Sequence, residues 1–178
     1  MKRILSLIMV FMLVLSGCNS YTMTTDDLRN EVNDYINDNN LTVLYHNTSK
    51  EDEQIIYETV NEIGIIHFSV SKNGLDIDSN DVDKKNLDNP VQLLHLGNDE
   101  NAYFGVVILD QELFNESKIV RISFLDSNID PLEISLGGEY TKGWLAIKSD
   151  SLTSCAVEKF ELISFSDNVT YVENFIPT

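Results

Sequence analysis

A chain of 178 residues with a formal net charge of −17 has the length of one ordinary domain, and its field repels nucleic acid and anionic head groups while drawing metal cations and basic partners. Nucleic-acid binding is excluded on charge, and two cysteines in the whole chain exclude a disulfide-built scaffold, so the fold must stand on packing. The acidity itself reads first as a solubility device, with a cationic ligand as the more specific alternative.

The chain opens with Lys2 and Arg3 and then carries no charge from Ile4 to Leu15. That is about a dozen residues, against the roughly 20 of a membrane-spanning helix, and it suits a secretory signal peptide. The apolar run ends at Leu15, Ser16, Gly17 and Cys18, which resembles the lipobox of bacterial lipoproteins. The resemblance implies that a diacylglyceryl group joins the Cys18 thiol and that residues 1–17 are cut away. Two acyl chains hold a protein stably on a bilayer where one does not. Loss of Lys2 and Arg3 with the leader takes the net charge from −17 to −19. Residues 18–25 then form the lipidated cysteine and a short polar tether, and 26–178 form a single acidic extracytoplasmic domain.

The first element of that domain is a helix over 26–38. Thr24 or Thr25 is placed to cap it, Asp26 and Asp27 fall in its first turn, and Asn39 and Asn40 close it. Leu28, Val32, Tyr35 and Ile36 make one apolar stripe that needs a partner surface. Strand-like runs follow at 42–46, 54–59, 66–71, 91–96, 103–109, 120–124, 132–136, 144–148, 157–165 and 169–175. In 66–71 the apolar Ile66, Phe68 and Val70 alternate with His67, Ser69 and Ser71, which predicts one wet face. The 103–109 run is apolar apart from Gly105 and predicts a central strand covered on both sides. The stretch 72–89, rich in Asp and Asn and ending at Pro90, reads as a loop or as an internal boundary at 72–90. The fold class is therefore mainly β, an antiparallel β-sandwich or partly closed barrel with one N-terminal amphipathic helix, and α+β is the alternative.

Side chains that carry chemistry are sparse in recognisable patterns. Asp76, Asp78 and Asn80 stand at alternate positions, as oxygen ligands for calcium would, but an EF-hand loop counted from Asp76 wants Gly where Asp81 stands and Glu where Leu87 stands. The expectation is a solvated acidic segment, with calcium the one cofactor the sequence hints at. His46, His67 and His95 lie on three separate strands without a zinc-site spacing, and His67 reads as a wet surface residue. Trp144 reads as a core anchor and Cys155 as a small buried hydrophobe. Nucleophile-elbow, HExxH, phosphate-loop and dinucleotide motifs are missing.

In outline, a lipobox leader, a short polar linker and an Asn- and Asp-rich strand domain are similar to small Gram-positive lipoproteins of unknown function. The expected role is a non-catalytic binding or interaction domain at the extracytoplasmic face of the cell membrane. It would be anchored to the lipid bilayer through diacylglyceryl-Cys18 and would meet an envelope protein or ligand, a cationic one being the more specific case. The alternative is a hydrolase of envelope polymers with paired carboxylates as acid and base.

Overall fold

In the computed structural model, which describes residues 23–72, 74–97, 101–137, 142–148 and 156–175, the first element is the helix α1, Thr25–Asp38. Its start is a capping box: Thr24 Oγ1 accepts from the Asp27 backbone N–H at 3.2 Å, and Asp27 Oδ2 accepts from the Thr24 N–H at 2.9 Å. These bonds satisfy donors that a helix N-terminus otherwise leaves open, and the Thr24 hydroxyl, donating to Asp27 Oδ2 at 2.7 Å, together with the Thr24 backbone N–H holds the Asp27 carboxyl below its ordinary pKa. At the other end Asn40 takes a left-handed φ of 53° and stops the helix.

Eleven strands follow among the described residues, all paired antiparallel, in three sheets. The first is a meander in chain order: β1 (Thr42–Thr48), β2 (Asp52–Glu58), β3 (Glu62–Ser71) and β4 (Gly74–Asp83). The second has the order β5-β6-β9, from Val91–Gly97, Ala102–Ile108 and Gly143–Lys148. The third has the order β11-β10-β7-β8, from Val169–Asn174, Val157–Ser164, Ser117–Phe124 and Leu132–Ser135. A short helix α2, Gln111–Glu116, joins the second sheet to the third. Thus residues 25–83 build α1 and the first sheet, and residues 91–174 build the other two.

Three apolar clusters define the stacking. Leu28 and Val32 of α1 pack on Ile55, Tyr57, Ile66 and Phe68, so the helix covers one face of the first sheet. The other face, with Ile56, Ile63 and Ile65, meets Leu94, Tyr103 and Val107 of the second sheet. The far side of the second sheet, with Phe104, Val106, Ile108 and Trp144, meets Val120, Ile122, Phe160 and Leu162 of the third. Each large side chain fully buried in this way contributes about 1.5–3 kcal/mol. The order is helix, sheet, sheet, sheet: a mainly β, sandwich-like arrangement of antiparallel sheets, with no closed barrel among the described residues. The expected mainly β, antiparallel fold with one N-terminal helix holds, and the arrangement is sandwich-like. β6 is buried along its whole length, as its unbroken apolar run predicts.

The first two sheets meet closely because two glycines make room. A Cβ at Gly105 would stand 3.3 Å from Ile56 Cδ1, and one at Gly143 would stand 3.0 Å from Leu44 Cβ and 3.3 Å from Ile56 Cγ2. Ile56 therefore enters a depression spanning β6 and β9, which is the reason glycine interrupts the apolar run at 105.

Two expectations need correction, and one element is new. The 72–89 stretch is no loop through most of its length: β4 runs to Asp83 and pairs with β3 over ten residue pairs, from Ser71↔Gly74 to Glu62↔Asp83. Its Asp and Asn content, unfavourable in central strands, suits an edge, where charge discourages pairing with another chain. The wet face predicted for β3 is buried against the second sheet at His67, which is 5% exposed rather than a surface residue, and half-buried at Ser69 and Ser71. Helix α2 had no counterpart in the sequence reading, being too short for a periodic signal. The leader, Cys18, most of the tether and Cys155 lie outside the described residues, among which no helix is long and apolar enough to cross a membrane.

Candidate functional site

The three imidazoles fall in three different layers. His46 on β1 lies on the helix side of the first sheet, where its Nε2 is 2.8 Å from Glu53 Oε2. Glu53 is fully buried, Arg29 Nε of α1 stands 3.7 Å from its Oε1, and that oxygen has no hydrogen-bond partner. His67 lies between the first and second sheets, stacked on Tyr103 at 4.6 Å, with the Tyr103 hydroxyl 3.3 Å from its Nε2. Burial pushes the His67 pKa below its ordinary value, against an opposing pull from Asp52 and Asp78. His95 is stacked on Phe104 at 4.8 Å, on the third-sheet side, and burial lowers its pKa too. These histidines serve the packing of their own layers and do not converge.

Asp76, Asp78 and Asn80 lie on one face of β4, opposite Ser69, His67 and Ile65 of β3. A regular strand sets alternate residues about 7 Å apart, whereas calcium draws its oxygens to about 2.3–2.6 Å. Asn80 is also engaged, its Nδ2 donating to the His95 carbonyl at 2.7 Å. Among the described residues no group of three or more His, Cys, Asp or Glu side chains is placed to share a metal ion.

A ligand-sized surface feature lies elsewhere, where α2 meets the β10–β11 turn. Two hollows of about 570 and 360 Å³ adjoin there and share Asn115 and Phe165. Local chemistry builds both walls. Asp110 caps α2 by accepting from the N–H groups of Glu112 and Leu113 at 2.8 and 2.9 Å. The helix stops at Ser117, which opens β7 opposite Ser164 of β10 after a shift in register. That pairing sets the end of α2 beside the β10–β11 turn.

The turn is held from within. Asp167 adopts a left-handed φ of 62°, Ser164 Oγ and Ser166 Oγ are 3.0 Å apart, and Asn168 Nδ2 donates to Ser166 Oγ at 3.1 Å. Lys118 on β7 reaches Asp167 at 3.2 Å. At the tip of this braced turn Phe165 is 68% exposed. The floor of the smaller hollow is apolar: Phe114 and Trp144, ring centroids 5.7 Å apart, with Leu136 and Gly137. Ser164, Ser166, Asn168, Thr170 and Glu116 line the larger one.

Trp144 is a core residue, as its sequence context predicts, and it also forms part of this floor. Its Nε1 lacks a hydrogen-bond partner and is shut off from solvent, so the indole offers the groove ring surface rather than its N–H. Sequence reasoning missed Phe165, Asn115 and Asn168. Phe165 stood as the last residue of a predicted strand, and only its pairing with the Ser and Asn residues of a turn would have marked it as a tip. Searched against protein-family models, curated proteins and solved structures, the chain matches none of them.

Proposed function

We propose that the chain is a lipid-anchored binding module of the cell envelope, and that it engages its ligand in the groove between α2 and the β10–β11 turn. The observation that carries the reading is Phe165, a large apolar side chain 68% exposed on an internally braced turn, beside hollows floored by Phe114 and Trp144. Aromatic surface with a few polar groups around it is the usual composition of a binding site. The lipobox-like Leu15-Ser16-Gly17-Cys18 run supports the anchor and the extracytoplasmic location. A hydrolase would set two carboxylates across its cleft; Glu116 is the acid on the described lining here, which favours binding over hydrolysis.

Two measurements test this. Labelled palmitate should enter the wild-type chain in producing cells and not Cys18→Ala; equal labelling of the two would remove the anchor. Trp144 is the chain's single tryptophan, so its emission reports the groove. Titration with separated envelope polymer, lipid and protein fractions should shift that emission saturably for one fraction in the wild type and not in Phe165→Ala. A response that survives Phe165→Ala would place the binding elsewhere.

A further inference from the structure

We infer that the groove is built for a neutral, hydroxyl-rich ligand, a carbohydrate, an inference that rests on the groove being the binding site. Two directional groups carry it. Asn115 Oδ1 accepts from Gln111 Nε2 at 3.1 Å, which leaves its Nδ2 as a donor on one wall of the hollow it lines. Asn168 Nδ2 donates to Ser166 Oγ at 3.1 Å, which leaves its Oδ1 as an acceptor on the other. A donor on one wall and an acceptor on the other, lining one hollow, suit neighbouring sugar hydroxyls, each of which both donates and accepts.

The aromatic surface fits the same ligand. The faces of a pyranose ring are largely C–H, and they lie well against an exposed ring such as Phe165, carried on a turn braced by its own side chains. Charge narrows the class. The described lining carries Glu116 and no Lys, Arg or His, in a chain of net charge −17, so an anionic glycan meets repulsion with no compensating pair. An acyl chain would leave the amide and hydroxyl walls without partners.

The test uses the full chain in 0.15 M salt, with Trp144 emission and calorimetry as readouts. The probes are four neutral tetrasaccharides (of N-acetylglucosamine, α-linked glucose, β-linked glucose and mannose), tetragalacturonate, and an uncharged aromatic tetrapeptide. At least one neutral tetrasaccharide should bind saturably, more than tenfold tighter than tetragalacturonate. Phe165→Ala should weaken it at least tenfold and Asn168→Ala at least fivefold, with the melting temperature of each variant close to wild type. Absence of binding by all four neutral sugars overturns the inference, as does sugar binding that both variants leave unchanged. Peptide binding that Phe165→Ala abolishes, without sugar binding, overturns the carbohydrate assignment while leaving the groove as the site. Failure of every probe to respond to Phe165→Ala overturns both.

Discussion

The Tyr57 ring lies directly over Gly64, its cross-strand partner on β3: a Cβ built on Gly64 would stand 2.5 Å from Tyr57 Cε1 and 2.6 Å from its hydroxyl oxygen. The glycine leaves a bare patch of backbone and the aromatic ring covers it. Burial, reinforced by Asp81 and Glu62, pushes the Tyr57 hydroxyl up to about 12. Gly64→Ala must displace a ring packed under α1, and we expect a loss of about 1–3 kcal/mol in urea unfolding, as overpacked cores show. In a Tyr57→Leu background the same substitution should cost less than half as much, because the obstructing ring is gone. Equal costs in the two backgrounds would mean that the ring is not the obstacle.

Glu53 and its partners give an asymmetric expectation. Removing His46 leaves a fully buried carboxylate without its hydrogen bond, at 3.7 Å from Arg29, whereas removing Glu53 leaves Arg29 and His46 side chains that are 52% and 31% exposed and can hydrate. His46→Ala should therefore cost about 2–3 kcal/mol and Glu53→Met about 1 kcal/mol or less. Chemical denaturation of both variants checks the order, and the reverse order would show that Glu53 is a net source of stability.

The buried His67 ties stability to pH. Its folded pKa lies below the ordinary 6.5, so the folded state refuses a proton that the unfolded chain accepts. Its contribution is whole above pH 6.5 and falls as pH drops from 6.5 toward the folded value. Glu173, whose carboxyl burial raises above 4.5, acts with the opposite sign, so the comparison must be made within one background. Melting curves from pH 7.5 to 5.0 should show a steeper decline for wild type than for His67→Gln. Parallel curves would place the His67 pKa at its unfolded value.

Calcium should act on β4 as diffuse charge screening. Strand spacing separates Asp76 and Asp78, and Asn80 is bonded to the second sheet. Calcium and magnesium at equal concentration in 0.15 M salt should then raise the melting temperature alike, within about a degree, and Asp76→Asn with Asp78→Asn should not change the difference between the ions. Saturable calcium binding by calorimetry, lost in that double variant, would establish a site.

What the sequence by itself determined was the local part. The α1 stripe and its Thr24 cap, and ten of the eleven described strands, are encoded in contacts between residues a few positions apart, and they are visible as period and punctuation. β4 escaped because its Asp and Asn residues carry a loop's composition, and only pairing with β3 makes that segment a strand. Tertiary structure alone decided which faces are covered. The alternation of β3 is the same whether its second face meets water or Tyr103, and the difference moves His67 from surface to interior. The groove was equally out of reach: Phe114 to Ser117, Leu136 and Gly137, Trp144, and Ser164 to Thr170 come from four separated segments. They meet because β9 is in the second sheet while β7 and β10 pair in the third. Periodicity records how a segment folds on itself, and a site assembled across sheets depends on long-range packing that no local window contains.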